Sequence, residues 1–591
     1  MKKIILGVAT VIGASGAFAQ VSTVVEKKTA VLEEFTGNYC TYCPAGHKIE
    51  DQIDANASLK AITIKIQTGD FSGTDPIFGG TLETPDGEAV ATAFATASYP
   101  NGSVSRRAAY KGLARGSWLN AVQTINTEDA PVNLYMQSAV DVTTRQITGS
   151  VEYYYTGTQP DATNKLVIGY YQDNIPAFQY DPGFYPSQFY ILSEEIYQFD
   201  HAFRGMINGV TGAVIPTSSA SSTATVPFTF NLPASFSTFD VEAGSVKLFA
   251  YVIASASGEI LNATKISPVY NNFPNTDEVG IVYSSGITSE NCVGQADNFT
   301  PTVLVGNYGG NNLTAFATDY NVGAATGTDS WSGNISHNQK VAVPLAALNF
   351  TYAATNSYSI DVSAPNGNVD PTIADNSFSG SFNAGPSYTS DAMRIDVVNM
   401  DNYGTQDKSE FNILDDMGAV VLASGYLPAG NSSYSFAFPN GTNCYQIQLL
   451  DDYGDGWGYQ TTNSLKIYNT TGAATLLRNV TAADNFGKEL VLSMDVTATG
   501  GSLAVDELSD LDLNVYPNPA NDVVNVSFDA AGTEYTVVIM DLQGRAVTSE
   551  YRNDSKGTQV ISIPVADLAK GSYLVTVSSA TSKVTKNVMV K

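Results

Sequence analysis

The chain has few of the residues on which most metal and hydrolytic sites depend. Among its 591 residues there are four cysteines and three histidines. Because zinc sites and catalytic triads are commonly built around histidine, this composition leaves little material for either. Charged residues make up 15% of the chain, and the formal net charge is −28. A basic surface is needed to neutralise phosphates, so the composition argues against a nucleic-acid partner.

Long apolar runs are also scarce, and the run at the start has a specific form. Lys2 and Lys3 precede an apolar stretch that ends in the small-residue pattern Ala17-Phe18-Ala19. This pattern is typical of a secretory signal peptide and predicts cleavage after Ala19. Beyond it, no uninterrupted stretch reaches the roughly 18 apolar residues that a spanning helix needs. The sequence therefore predicts an exported protein without a transmembrane segment.

The abundant residues are those of exported β modules. The chain has 50 glycines and 33 tyrosines, and it is rich in threonine, serine and asparagine. Strands favour threonine and aromatic residues, and turns need glycine and asparagine. Its length favours roughly four domains, at about 150 residues for each domain.

The periodicity of the apolar residues changes near Pro131. Before it, strand patterns such as TAVLEEF and KAITIKIQTG alternate with helical patterns such as CPAGHKIEDQIDANA, TPDGEAVATAFATAS and SWLNAVQTI. After it, runs such as VNLYMQSAV and VKLFAYVIAS alternate with period two. The predicted divisions are a signal peptide at 1–19, an α/β domain at 20–128, a β-sandwich at 129–270, an Ig-like β domain at 277–388, a second sandwich at 389–496, a linker at 497–510 and a C-terminal β domain at 511–591.

The C-terminal residues 511–591 carry four motifs in order. These are YPNPA from Tyr516, DLQGR from Asp541, the L-x-x-G-x-Y pattern from Leu568, and a basic last strand from Lys583. Together they closely resemble the type A C-terminal sorting domain of the type IX secretion system of Bacteroidetes. The resemblance implies that the secretion machinery carries the protein across the outer membrane through this domain. It also implies that the domain is then removed and the mature protein is released or attached at the cell surface.

The other specific feature is the pair Cys40-Thr41-Tyr42-Cys43, which lies where a predicted strand ends and a predicted helix begins. Amide groups at a helix N-terminus favour the thiolate form of a cysteine. Three interpretations stay open. The pair is a redox-active dithiol, with Cys40 as nucleophile and Cys43 as resolving cysteine; or a permanent structural disulfide; or part of a zinc site, for which only His47 is a nearby ligand.

This segment resembles thioredoxins. The resemblance implies that Glu34 is a buried carboxylate that takes the proton of the second cysteine, and that Pro100 follows a cis peptide bond and lines a peptide groove beside the dithiol. Tyr39 and Thr41 stand where thioredoxins commonly have Trp and Gly, so redox potential and partner choice do not carry over.

The stretches VLEEFTGNYCTYCPAG, YPNGSVSR and YQFDHAFRGMINGVTGAVI resemble, more narrowly, the outer-membrane-protein-28-related proteins of Bacteroidetes. The match spans residues 25–268, so the sandwich that follows the α/β domain belongs to the same unit. The fold class is therefore expected to be multidomain, with an N-terminal α/β thioredoxin-like domain followed by several all-β sandwich domains of Ig-like or jelly-roll-like type.

Two segments, NMDNYGTQDKSEFNILDD and CYQIQLLDDYGDGWGYQ, resemble two halves of a β-sandwich module that is common in secreted bacterial proteins. In such a module Asp401, Asp452 and Asp455 would meet at one rim. Oxygen ligands in a glycine-rich loop suit Ca2+, and a turn stabilised by Asp and Gly is the equal alternative. No other cofactor is required by the sequence.

The remaining candidate residues favour structural roles. Cys292 and Cys444 either form a disulfide or stay free. The stretch FDHAFRG contains His201 and Arg204, which could form a site but more often have a structural role. The run Tyr153-Tyr154-Tyr155 could bind glycans, but such tyrosines more often pack in a sandwich.

Two functions from different classes are therefore predicted. The first is thiol-disulfide exchange on exported proteins at Cys40 and Cys43. The second is a non-enzymatic surface adhesin that binds surface proteins or glycans, in which the cysteine pair is a structural disulfide. Exposure of Cys40 favours the first, and burial of both sulfurs favours the second.

The sorting motifs predict processing at both ends of the chain. Protein recovered from the surface or medium of the native host is expected to begin at Gln20 and to lack residues 511–591, as terminal peptides in mass spectrometry would show. A variant without residues 511–591 is expected to stay in the periplasm. Untrimmed protein accumulating in the periplasm of the native host would contradict this prediction.

Overall fold

The computed structural model describes residues 20–591 apart from residues 95–97, 160, 181–190, 193–195, 218–222, 288–289, 400–407, 452–456, 458–461, 482–485, 487–488, 500–512, 532–534, 542–545, 553–555 and 579–582. The described residues are mostly β. They divide into two units. One contains the residues up to 388 with 394–436 and 442–496, and the other contains 389–393, 437–441 and 497–591. No helix in the described part of the chain is long and apolar enough to cross a membrane.

Strands and helices alternate in the first hundred described residues, as the sequence predicts. The elements are β1 Ala30–Thr36, α1 Cys43–Asp54, β2 Ala61–Gln67, α2 Pro85–Phe94, β3 Asn101–Val104, β4 Leu113–Ala114 and α3 Trp118–Asn126, with short 3-10 helices at Ala108–Tyr110 and Arg115–Ser117. Strands β1 and β2 are parallel and are connected through α1, while β3 pairs antiparallel with β1. A parallel pair needs such a crossover, because a tight turn cannot join its ends.

The next segment is all β. Its strands are β5 Val132–Asp141, β6 Gln146–Tyr155, β7 Thr163–Gln172, β8 Ile175–Phe178, β9 Ile196–Phe199, β10 Ala202–Met206, β11 Ala213–Pro216, β12 Thr223–Asn231, β13 Ser235–Phe236, β14 Phe239–Asp240, β15 Val246–Ala254, β16 Ile260–Ile266 and β17 Val269–Asn271. One of its sheets has the strand order β12-β6-β5-β17. The other continues the N-terminal strands in the order β16-β15-β7-β10-β2-β1-β3-β4. Strands from the predicted α/β domain and from the predicted sandwich thus share one sheet.

The two faces of this shared sheet bury different side chains, because successive residues of a strand point to opposite sides. On one face Val31, Phe35 and Ile64 pack with α2 and with aromatic residues of β7, β10 and β15. On the other face Leu32 packs against Trp118 of α3. A third core fills the sandwich between β5, β6, β7 and β15. Fully burying one such side chain contributes about 1.5–3 kcal/mol.

Two further groups of sheets follow. The first is built from β18 Val279–Ser285, β19 Ala296–Phe299, β20 Thr302–Asn307, β21 Leu313–Val322, β22 Ala325–Ile335, β23 Lys340–Pro344, β24 Leu348–Thr351, β25 Thr355–Ser363 and β26 Ser377–Asn383, with a 3-10 helix at Pro365–Gly367. The second is built from β27 Ser387–Thr389, β28 Ala392–Asn399, β29 Ser409–Leu414, β30 Val420–Tyr426, β31 Gly430–Ala437, β32 Gly441–Asp451, β33 Ser464–Asn469, β34 Thr475–Thr481 and β35 Glu489–Ala498.

A disulfide between Cys292 and Cys444 joins these two groups of sheets. Close to it, the guanidinium of Arg478 donates two hydrogen bonds of 2.9 Å to the carboxylate of Glu290. The sequence left the state of these two cysteines open, and the structure shows them paired.

The second unit carries a separate pair of sheets. Its strands are β36 Asn514–Tyr516, β37 Val523–Ala531, β38 Tyr535–Met540, β39 Ala546–Arg552, β40 Lys556–Pro564, β41 Gly571–Ser578 and β42 Lys583–Val590. The strand orders are β36-β37-β40 and β39-β38-β41-β42. Alternating residues such as Val524, Val526 and Phe528 point into a core of their own. Gly571 begins a strand, as the sequence predicts, whereas the predicted turn after Asp541 lies outside the described residues.

A buried ion pair connects β1, an interior strand of the shared sheet, with β15. Nε of Arg106 lies 2.9 Å from Oε2 of Glu33, and Nη2 of the same guanidinium donates to the hydroxyl of Tyr251 at 2.8 Å. The guanidinium also packs over the rings of Phe94 and Tyr251. Glu33 is on β1 and Tyr251 on β15, so the stretch YPNGSVSR serves to connect the two parts of the sheet.

Glu33→Gln is expected to destabilise this sheet by about 3–5 kcal/mol, because it leaves the Arg106 guanidinium buried without its counterion. Hydrogen exchange of peptides from β1 and β3 would measure the change. Glu26→Gln is the matched control, since Glu26 pairs with Lys60 at the surface, where both side chains are about half exposed; its cost is expected to stay below about 1 kcal/mol. Equal effects of the two variants would contradict the role given to Arg106.

Candidate functional site

The cysteine pair Cys40 and Cys43 forms a disulfide in the turn that precedes α1. The amide of Cys40 donates to the carbonyl of Gly37, and the amide of Cys43 donates to the carbonyl of Cys40, both at 3.1 Å. The helix itself begins at Cys43, with Tyr42 as N-cap and Pro44 in the first turn. Cys40 therefore lies on the turn before the helix, and only Cys43 is in its first turn.

Both cysteines are buried. Cys40 is 3% exposed and Cys43 is 0% exposed. The chain that follows β8 covers the turn, since the side-chain amide of Gln179 donates to the carbonyl of Cys40 at 3.1 Å. The amide of Tyr180 also donates to the carbonyl of Asn38 at 2.7 Å. The segment predicted as a sandwich thus contributes directly to the surroundings of the disulfide.

Three aromatic side chains remain partly exposed around the covered turn. Tyr39, Tyr42 and Phe71 are 37%, 52% and 46% exposed, respectively. We call these three residues the aromatic rim. The ring of Tyr39 also contacts Phe178, and the ring of Phe71 contacts Tyr99. The surface next to the disulfide is therefore aromatic and partly open to solvent, although the cysteines are covered.

Gly46 is the point at which the other predicted site residues meet. The Tyr99–Pro100 peptide bond is cis, and Pro100 is buried. A Cβ placed on Gly46 would lie 2.4 Å from Oε1 of Glu34 and 3.2 Å from Cγ of Pro100. Because Gly46 follows Cys43 by three residues on α1, Glu34 and Pro100 reach the same side of the helix as Cys43.

Glu34 belongs to a fully buried group of charges. Glu34 on β1 and Lys65 on β2 are directly paired in the parallel ladder. Glu50 of α1 joins them, with its Oε2 3.5 Å from Nζ of Lys65. None of the three side chains is more than 2% exposed. Buried ionisable groups of this kind are typical of functional sites, although structural ion-pair networks also produce them.

The environment moves the pKa of each member. Burial, and then the charge of Glu50, raises the pKa of Glu34 well above its usual range. Burial raises the pKa of Glu50 to about 7, against the opposing effect of Lys65. Burial alone would lower the pKa of Lys65, but Glu50 and Glu34 outweigh it, so the pKa is raised and Lys65 is a cation.

His47 lies beside this group and is held in the neutral form. Burial, and then the charge of Lys65, lowers its pKa well below the usual range. Its ring nitrogens are hydrogen-bonded to Tyr197 at 2.6 Å and to Thr36 at 3.0 Å. In the structure His47 is hydrogen-bonded through both ring nitrogens and both sulfurs are in a disulfide, so none of these three side chains is placed as a zinc ligand. Among all the described residues, no group of three or more His, Cys, Asp or Glu side chains is placed to hold a metal.

Sequence reasoning missed Glu50, Lys65 and the covering residue Gln179. Lys65 stands out only as a charge within the apolar alternation Ile62, Ile64, Ile66. Glu50 follows Cys43 by seven residues, which is two helical turns, and so lies on the same face of α1. This spacing was the available signal for Glu50.

The other candidates fall into two groups. Asp401, Asp452 and Asp455, which were predicted as Ca2+ ligands, lie outside the described residues, so calcium binding stays a prediction. Nε2 of His201 lies 3.0 Å from Oδ2 of Asp54, and the guanidinium of Arg204 is buried over the ring of Phe236. Tyr153 and Tyr155 are in the sandwich core. These positions agree with the structural roles that the sequence favours.

Gly46→Ala is expected to cost about 1–3 kcal/mol of stability, because the new methyl group has no space beside Glu34 and Pro100. The midpoint of urea unfolding would measure it. Gly116→Ala is the control, since no atom lies within 4 Å of the position of its Cβ, and its effect is expected within about 0.5 kcal/mol. If Gly46→Ala were as mild as the control, Glu34 would not be held against the helix.

Comparison with known proteins identifies the C-terminal part of the chain. No curated protein matches the sequence. Among solved structures, HBP35 of Porphyromonas gingivalis is 15% identical, with a TM-score of 0.32 over 52% of this chain and 99% of that one. Protein AGR_C_4864 from Agrobacterium tumefaciens is 12% identical, with a TM-score of 0.26 over 41% of this chain and 95% of that one. These TM-scores are too low to decide fold or function. Residues 514–591, however, match the secretion system C-terminal sorting domain, and this tail implies export through the type IX secretion system.

Proposed function

We propose that this protein, exported through the type IX system, carries out thiol-disulfide exchange on other exported proteins through Cys40 and Cys43. Cys40 is the nucleophile and Cys43 the resolving cysteine. Glu34 accepts and returns the proton of Cys43, and Pro100 lines the groove for the partner peptide. The site would act at the cell surface, to which the sorting tail directs the chain.

The arrangement of the N-terminal elements supports this proposal. The order β4-β3-β1-β2, with α1 crossing from β1 to β2, agrees with a thioredoxin-like domain. So do the disulfide at the start of α1 and the cis bond before Pro100. The aromatic rim adds an apolar surface next to the cysteines on which a partner chain can pack.

The observation that carries the proposal is the buried acid Glu34, which lies against Gly46 in the first turns of the helix that begins at Cys43. Burying a carboxyl group costs several kcal/mol unless it is neutralised or paired, and an apolar residue of similar size often gives a more stable core. A disulfide that serves only as a structural link needs no acid on the inner side of its helix. A proton acceptor at that place is what a reversible dithiol needs, because the resolving cysteine must lose a proton to close the disulfide.

Location at the cell surface favours disulfide exchange over net reduction. Net reduction outside the cell requires a supply of electrons, whereas exchange between dithiols and disulfides conserves them. Isomerisation or exchange of disulfides in surface proteins therefore fits the site better than reduction.

A second candidate rests on the burial of both cysteines. Cys40 is 3% and Cys43 0% exposed under Gln179, and by the exposure criterion this burial favours a structural link in a surface adhesin. In that case the aromatic rim and the later sandwiches would bind surface proteins or glycans.

Equilibration of the mature protein in glutathione buffers of graded potential, followed by thiol trapping, separates the two candidates. An exchange catalyst is expected to give a potential between roughly −120 and −270 mV. The Cys292–Cys444 disulfide of the same molecule is the internal reference, and Cys40→Ser should abolish mixed disulfides with a scrambled substrate. A Cys40–Cys43 bond that stays oxidised below about −300 mV would establish the structural link instead.

A further inference from the structure

The buried carboxyl groups of Glu34 and Glu50 lack conventional partners. Both side chains are fully buried, and none of their four carboxyl oxygens accepts a hydrogen bond from a donor group among the described residues. Their closest cation is Lys65, whose Nζ lies 3.5 Å from Glu50. Two ionised carboxylates in such a place would leave the group with a net negative charge in a medium of low dielectric constant, which is strongly unfavourable.

The two carboxyl groups satisfy each other if they share one proton. Both carboxyl groups lie around Lys65, which is paired with Glu34 in the ladder and whose Nζ is 3.5 Å from Glu50, and each shifts the pKa of the other. A protonated carboxyl group donates one hydrogen bond that an ionised one accepts. One shared proton also leaves a single negative charge, which Lys65 balances. Two carboxyl groups at close range hold a proton between them in this way, because one ionised group strongly opposes ionisation of the other.

The directions of the two pKa shifts favour Glu34 as the protonated member of the pair. The charge of Glu50 raises the pKa of Glu34, and the hydrogen bond from Glu34 lowers the pKa of Glu50. The other charged or titratable groups that act on these residues, from every element around them, are His47, Asp51 and Asp54 of α1, Lys65 of β2, Tyr197 of β9, and Asp200 and His201 next to β10.

We propose that Glu34 and Glu50 form a carboxyl pair that holds one proton in the oxidised protein and delivers it to the Cys43 sulfur when the disulfide opens. Glu50 is a positioning residue in this scheme, since it acts on Cys43 through Glu34. The inference rests on the proposed exchange function and adds a residue that the thioredoxin resemblance does not imply.

The reaction balances with a protein dithiol as substrate. A substrate thiolate attacks Sγ of Cys40, the bond to Cys43 breaks, and its electron pair stays on Sγ of Cys43, which takes the proton of the pair. The second substrate thiol displaces Cys40 and closes a substrate disulfide. The substrate loses two electrons and two protons, of which one proton goes to Cys40 and the other restores the carboxyl pair.

Glu50→Gln tests the pair. The amide keeps the shape of the side chain but donates to Glu34 and carries no charge, so the midpoint at which Glu34 loses its proton should fall by about one pH unit or more. Infrared titration of the protonated carboxyl band would record this shift. Asp375, with a pKa of about 6, also contributes to the protonated carboxyl band, but its contribution is the same in every variant. Lys65→Gln should move the midpoint in the opposite direction, and Glu26→Gln should leave it unchanged.

The pH profile of the reaction with a small dithiol tests delivery of the proton. Glu50→Gln is expected to shift this profile to lower pH by the same amount as the infrared midpoint, and Glu50→Asp should restore part of the shift. An infrared midpoint that does not move would overturn the pair. A shifted midpoint with an unchanged rate profile would overturn its role in delivery.

The proposed function and this inference fail in different ways. Wild-type protein that does not react with the dithiol at any pH would refute the exchange function, and the delivery step with it. Wild-type protein that reacts, with a profile that Glu50→Gln leaves in place, would refute the inference alone.

The stability of the wild type provides a measure that needs no reaction. Because burial raises the pKa of Glu34 well above its value in the unfolded chain, the stability that its protonated form contributes is present below the unfolded pKa and is lost as pH rises through the folded pKa. Glu50→Gln should move this loss to lower pH.

Discussion

The N-terminal region depends on the pairing of a single strand, β2. It pairs with β1 along its whole length, and at Lys65 its amide donates to the carbonyl of His201 at 2.9 Å, next to β10. That second contact continues the sheet into the strands of the sandwich. It also fixes where the Lys65 side chain stands, because the register of a strand decides which face each residue occupies. Both the sheet and the charge group of Glu34, Glu50 and Lys65 therefore depend on the same register.

The charge group in turn limits which residues α1 can have at two positions. Gly46 has to lack a side chain, since Glu34 and Pro100 occupy the space. Glu50 has to remain close to Lys65, because either group alone would be an uncompensated buried charge. Gly46, Pro100 and the buried acids are thus packed within a few ångströms of one another.

Much of this arrangement could be predicted from the sequence. The alternation of TAVLEEF and KAITIKIQTG with helical segments indicated the order of elements, the spacing of the cysteines indicated Cys40 and Cys43, and the thioredoxin resemblance indicated Pro100. The missing parts depend on contacts between residues far apart in the chain. Lys65 reaches Glu50 through strand register, Gln179 covers Cys40 from 139 positions away, and Cys292 finds Cys444 across 152 residues. Periodicity and motifs describe neighbours along the chain, so they carry no information about such pairs.

The Cys292–Cys444 disulfide also has a consequence for transport. The sorting tail follows both cysteines in the sequence, so they have already been translated when the signal for export is complete. Once closed, the bridge turns the residues between them into a covalent loop that cannot be drawn out as a single thread. A bridged chain therefore has to cross the outer membrane with at least two segments of the chain side by side, and a folded β module is wider than that. Either the pore through which the protein is exported is wide enough for two chain segments, or the Cys292–Cys444 disulfide forms outside the cell.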